Sequence, residues 1–313
     1  MKTNILVSGL HYSGSSAVYD LLKEYENVGF VPGEFDEFRR PGMILDHLAG
    51  RINTSYPSRL TAYYKSKALK AHLYTFIRNV ILLKRPQSIV KLPYRFIRDY
   101  KRYKPLKKLD IDLESSGYDS KLRHVKVWLN NLQNMFAKDK THVVFDQPLL
   151  HAQNLDYWPQ VLRPFKLILI YRDPRDQFTD LLNNHHLFLD YYSAPTGGIA
   201  EIYGGDRQGA FAYNIDAIKA RLKAIDEIIY KLEEDEVLLV NFNHLAKDYD
   251  LQKKRIENFL GLKPEDHNQE FKFFNPEVSS KNVGIHKNKL NTDDLEQLSE
   301  LIDWYEKRTK LDK

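Results

Sequence analysis

Two short clusters of residues have the types and spacing for anion chemistry. In the first, an apolar run at residues 4–9 (NILVSG) closes on Gly9, and Tyr12-Ser13-Gly14-Ser15-Ser16 then opens a helical pattern. A helix N-terminus there would aim free backbone N–H groups and the positive end of its dipole at one spot. Gly14 would let the backbone approach an anion closely, and Ser15 and Ser16 would add hydroxyl donors. The plainer alternative is a strand-to-helix turn capped by the Ser13 hydroxyl. In the second cluster, residues 165–171 (FKLILIY) run into Arg172-Asp173-Pro174-Arg175-Asp176. An arginine at a strand end can present paired donors to a phosphate. Here the alternative is an Arg–Asp capping network at a strand-to-helix corner.

Both clusters need elements behind them, and the pattern supplies these. Residues 4–9, 28–31, 141–145, 165–171 and 237–240 read as short strands, with a further candidate at 88–91. The run at 28–31 is broken by Pro32-Gly33, and those at 165–171 and 237–240 are apolar enough for strands buried on both faces. Between them, 13–25 is helical with Val18, Leu21, Leu22 and Tyr25 on one stripe, and Pro174 stands where a helix begins. Apolar residues at 211, 215, 218, 222, 225, 229 and 232 mark a long amphipathic helix, and 295–305 closes the chain as another. A helix-like stretch runs through Trp158. Strands alternating with helices predict an α/β fold: a central parallel sheet of about five strands flanked by helices. A single domain is expected, with helical insertions near 41–138 and 190–210; Ser115-Ser116-Gly117 marks a loop within the first. Ligands of such sheets sit at the C-terminal ends of the strands, where both clusters fall.

Composition narrows the classes. At 313 residues with 42% apolar content, the chain can bury a large core and is neither disordered nor fibrous. The absence of cysteine excludes a disulfide scaffold, thiolate zinc sites and a cysteine nucleophile. No apolar run approaches the roughly 18 residues that span a bilayer, and the start of the chain lacks a signal-peptide pattern. A cytoplasmic location is the resulting expectation. A net charge of +5 suits an anionic ligand without naming one.

The spacing Gly9-x4-Gly14-Ser15-Ser16 is similar to a Walker A loop whose lysine is replaced by serine. The chain as a whole resembles the sulfotransferases that use 3′-phosphoadenosine 5′-phosphosulfate (PAPS), through four segments in order. These are 13–16, Arg172 to Asp176, 237–245 with 256–262 (ending Phe259-Leu260-Gly261), and 279–287 with Gly284 and Lys287. The resemblance implies a P-loop-like sulfotransferase fold with PAPS as cosubstrate and no metal. Ser13, Gly14, Ser15 and Ser16 would hold the 5′-phosphosulfate, Arg172 the 3′-phosphate, and the loop with Gly284 and Lys287 would close over the nucleotide. The chain departs from the family at two places. Tyr12, preceded by His11, stands where a basic residue normally precedes Ser-Gly, and Asp180 stands where a serine normally helps hold the 3′-phosphate. Lys91, His11 or Lys287 could restore the missing positive charge.

Sulfuryl transfer resembles phosphoryl transfer: charge spreads over equatorial oxygens, and the protein supplies position and electrostatics. A hydroxyl acceptor calls for a base, for which Glu34 and Asp146 stand at strand ends. The resemblance to carbohydrate-type branches favours Glu34 and implies a glycan or glycolipid acceptor. Asp36 and Glu37 lie close by. Two rival readings remain, a catalytically silent nucleotide- or glycan-binding relative and a P-loop kinase-like phosphotransferase; the latter lacks its cradle lysine. The stretch 94–108 carries seven basic residues against Asp99, with Arg95, Arg98 and Arg102 on one helical face. A solvated face is its plain reading; contact with membrane headgroups or an anionic glycan is the functional one, and nucleic acid is not expected. His185-His186 has no partner spacing for a metal.

Overall fold

The computed structural model describes residues 2–9, 12–39, 43–50, 117–149, 156–187, 189–190, 200–201 and 207–311, with isolated positions between 102 and 113. His11, Lys91, the strand candidate at 88–91 and most of 94–108 lie outside the described residues. The chain forms two compact units, Met1–Arg39 with Phe136–Lys313, and Arg40–Met135.

The first unit is built on a parallel sheet. Strands β1 (Thr3–Gly9), β2 (Val28–Glu34), β3 (His142–Asp146), β4 (Phe165–Tyr171) and β7 (Val237–Asn241) lie in the order β2-β3-β1-β4-β7. Every pairing among them is parallel. A two-stranded antiparallel pair, β5 (Leu189–Asp190) with β6 (Ala200–Glu201), stands apart. The chain leaves β1 toward β3 and β2 and returns past β1 to β4 and β7. The strand order therefore reverses at β1, where an open α/β sheet forms its crevice.

Alternation along the strands assigns two faces. Ile5, Val7, Val144, Ile168, Ile170 and Val240 pack against α1 (Ser15–Leu22), α8 (Phe242–Lys247) and α9 (Tyr249–Leu260) in one apolar cluster. On the opposite face Phe165 meets Trp158 of α5 (Trp158–Leu162), their ring centroids 4.7 Å apart. Phe178 of α6 (Pro174–Asn183) meets Phe211 of α7 (Arg207–Lys231) at 5.0 Å. Tyr171 meets Trp304 and Tyr305 of α12 (Ser299–Leu311), each at 5.9 Å.

Several boundaries differ from the sequence expectation, each for a physical reason. The second strand continues through Pro32-Gly33 to Glu34, with a register shift between Phe30 and Glu34. It is an edge strand, where a proline costs no ladder bond. β7 forms the other edge, so Val237, Leu238 and Leu239 are half-buried rather than enclosed. The first helix begins at Ser15 instead of residue 13, because Tyr12 and Gly14 both take left-handed backbone. The final helical stretch divides at Leu298 into α11 (Thr292–Gln297) and α12, with α11 opened by an Asn291/Asp294 capping box.

In the second unit, α3 (Ile44–Leu48) and α4 (Tyr118–Phe136) are tied by a Lys121 Nζ bond to the His47 carbonyl at 3.3 Å. Arg102, expected on a solvated face, is only 4% exposed.

Candidate active site

The strand ends at the reversal point carry a cradle, a carboxylate pair and an arginine. The cradle is the turn from Gly9 to Ser16. Gly14 is the N-cap of α1 and has no side chain with which to close it. No side chain caps the amides of Ser15 and Ser16, which leaves them for a ligand, while the Ala17 amide bonds the Gly14 carbonyl at 2.9 Å; the Ser13 cap expected as the plain alternative does not form. The Ser13 side chain instead turns inward: a Cβ on Gly9 would fall 2.1 Å from its Oγ, and that buried oxygen has no hydrogen-bond partner. Of the three serines, Ser15 is the one whose hydroxyl is oriented by a neighbour. Gln147 Nε2 donates to Ser15 Oγ at 2.6 Å, while Gln147 Oε1 accepts from the Gly9 amide at 3.2 Å. Because Ser15 accepts that bond, its own proton remains available to an anion. Ser16 lies exposed on the first turn.

Gln147 is a residue whose role sequence reasoning missed. Its φ of 51° turns the chain back after β3, and its amide fixes the distance between β1 and α1. Phe242 is another. A Cβ on Gly14, whose φ is 85°, would lie 2.2 Å from the Phe242 ring. The other partner of that ring is Arg172, whose guanidinium sits 4.9 Å from its centroid.

Arg172 follows β4 and falls on the face that packs α1 and α8. Its side chain is 3% exposed. NH1 donates to the Tyr12 carbonyl at 3.1 Å and to Asp180 Oδ2 at 2.5 Å, and NH2 donates to the Asn282 carbonyl at 2.6 Å. Arg172 therefore does border the cradle, but in company with Asp180 of α6. The rest of its motif is structural. Asp173 caps α6 through the Arg175 amide and pairs with the Arg175 guanidinium, which realises the capping network. Asp176 is fully buried and accepts from the amides of Gly284 and His286 and from His286 Nδ1. It thereby pins the C-terminal loop against α6. Asp173, Asp176 and His286 come within metal-ligand spacing, yet the oxygens involved already accept these bonds. Gly284 takes φ 78° at the start of that loop's last turn, and Lys287 is exposed on it.

The Tyr12 hydroxyl is hydrogen-bonded to His186 Nδ1. Burial, reinforced by the charge of His185, lowers the His186 pKa, so a neutral ring is available to accept there.

Glu34 and Asp146 are neighbours in the β2–β3 register, the last paired residues of the two strands. Their environments differ. Glu34 is half-exposed and ion-paired to Arg39 of α2 (Asp36–Arg39), which also binds Asp36 at 2.7 Å. Asp146 is mostly enclosed, and its Oδ1 is buried without a hydrogen-bond partner. Burial first, then the charge of Glu34, raises the Asp146 pKa to about 7, against a smaller lowering by Arg39. Asp146, one of the two carboxyls that the sequence puts forward, is thereby poised to exchange a proton near neutrality.

No protein-family model matches this chain, and neither does any curated protein. Solved structures do. The sulfotransferase domain of the Synechococcus PCC 7002 olefin synthase aligns over 96% of this chain and 94% of its own, at 14% identity and a TM-score of 0.51. The sulfotransferase domain from the curacin biosynthetic pathway aligns at 11% identity and TM-score 0.47, over 96% and 97% of the two chains. Sulfotransferase STF9 from Mycobacterium avium aligns at 13% and 0.42, over 96% and 76%. The five-stranded parallel sheet, with its strand order and flanking helices, is the fold of a sulfotransferase domain.

Proposed function

We propose that this chain is a sulfotransferase that moves a sulfuryl group from a nucleotide 5′-phosphosulfate, with PAPS the donor the resemblance implies, to a hydroxyl of a carbohydrate or glycolipid. The observation that carries this reading is one juxtaposition. A helix N-terminus capped only by glycine and a buried carboxyl lie at adjacent strand ends, linked through Gln147. The amides of Ser15 and Ser16 and the Ser15 hydroxyl would hold the phosphosulfate. The acceptor oxygen would then bond to sulfur as the bond from sulfur to the bridging oxygen breaks. The electron pair stays on the nucleotide phosphate, and the acceptor proton passes to Asp146. The amides at the start of α1 stabilise the charge gained by the leaving phosphate. Burial, with the charge of Glu34 added, holds the Asp146 proton affinity near neutrality, and Glu34, paired to Arg39, does not take the proton itself.

The test is transfer of ³⁵S from labelled nucleotide phosphosulfate to a panel of glycan, glycolipid and simple alcohol acceptors. Label should reach at least one hydroxyl acceptor with the wild-type chain. A chain that binds nucleotide yet labels none of the acceptors supports the silent-relative reading, and ATP-dependent phosphorylation of the same panel supports a kinase.

A further inference from the structure

Arg172 is the residue that the resemblance assigns to a nucleotide's 3′-phosphate, and its environment decides which nucleotide fits. Its NH1 group gives both its bonds to Tyr12 and Asp180, its NH2 group is held by Asn282, and its Nε is buried with no hydrogen-bond partner and faces no solvent. Its flat face is closed by Phe242. The guanidinium charge is already matched by a carboxylate 2.5 Å away, and that carboxylate is 21% exposed while Arg172 is not. What the Arg172–Asp180 pair presents outward is therefore an acceptor of hydrogen bonds rather than a cation. Asp180 belongs to α6, whose N-terminus is fixed by the Asp173 cap and by Asp176, so it is held where it stands.

A phosphate seeking Arg172 would have to displace Asp180 and remain beside it, which is repulsive. A ribose hydroxyl meeting the same pair would donate to the carboxylate at no such cost. Nucleotide sites elsewhere separate ribose hydroxyl from ribose phosphate by this choice between a carboxylate and an unpaired arginine. From this geometry we infer that Asp180 sets donor specificity, excluding a 3′-phosphate and selecting a nucleotide 5′-phosphosulfate with free ribose hydroxyls. Adenosine 5′-phosphosulfate is the simplest such donor, and its reaction leaves AMP. This inference rests on the sulfuryl-transfer reading and sharpens its donor, replacing PAPS with the 3′-hydroxyl nucleotide.

Calorimetry on the full chain with AMP and with adenosine 3′,5′-bisphosphate tests it. Wild-type protein should bind AMP as tightly as the bisphosphate or more tightly. Asp180→Ser should raise bisphosphate affinity at least tenfold, while AMP, losing its carboxylate acceptor, should bind no more tightly than to wild type. Asp180→Asn, which removes charge at constant size, should move the ratio in the same direction and serves if the serine variant fails to fold. Wild-type protein that prefers the bisphosphate by tenfold or more overturns the inference while supporting the sulfotransferase reading. An unchanged ratio in both variants overturns the assignment to Asp180. Binding of neither nucleotide by folded wild-type protein overturns the donor reading underneath.

Discussion

At the scale of single residues, the site turns on two carboxyls that the β2–β3 register sets side by side. The sequence puts both forward and, through its resemblance to other chains, leans toward Glu34. Their surroundings, which depend on Arg39 and on depth in the sheet, favour Asp146 as the proton acceptor. The two assignments separate in kinetics. Asp146→Asn removes the proposed base and should lower kcat by about 10²–10⁴, with nucleotide affinity kept. Glu34→Gln should retain activity but move the acid limb of the pH–rate profile. Wild-type activity should rise as Asp146 loses its proton near pH 7. Removing the Glu34 charge lowers that pKa, so the rise should come at lower pH. A Glu34→Gln protein as dead as Asp146→Asn would return the role of base to Glu34.

At the scale of elements, the anion cradle is legible in the sequence because its parts are local. Gly9, Gly14 and the serines lie within eight positions, and the strand and helix around them follow from apolar periodicity. What supports the cradle is not legible, because it comes from far along the chain. Phe242 opens α8 and fills the space that a Gly14 side chain would need, and Gln147 reaches back from β3. The same distance problem hides Asp176, which resembles part of an anion motif and serves to anchor the loop at Gly284 and His286. Gly14→Ala tests the close approach of α1 and α8. It meets both a φ of 85° and the Phe242 ring, and should cost about 2–4 kcal/mol in urea unfolding. Combining it with Phe242→Ala should recover part of the overlap but not the backbone strain, so the two changes should be less than additive. Strict additivity would mean that the ring moves aside freely and does not shape the cradle.

At the scale of the whole molecule, the sequence conveys the α/β class and the strand positions because buried parallel strands are continuous apolar runs. It conveys less about which strands are edges, and so misplaces the end of β2 and the depth of β7, since edge position is a property of the assembled sheet. Edge position also shapes Asp146. It lies one strand in from the β2 edge, deep enough to lose solvation and near enough to Glu34 to feel its charge. That has a consequence for global stability. Between the ordinary carboxyl pKa of 3.8 and about 7, the folded chain keeps a proton on Asp146 that the unfolded chain has released. Stability must therefore fall as pH rises through that interval, and above it the full cost of the buried charge remains. Asp146→Asn cannot ionise and escapes the cost, while other titrating groups largely cancel between the two proteins. The variant should gain on wild type by at most about 4 kcal/mol on going from pH 4 to pH 8, with the change centred between pH 5 and 7. Denaturant midpoints for both proteins across that range measure the gain directly. A stability difference that stays flat with pH would place the Asp146 carboxyl in water and remove the basis for its role in proton transfer.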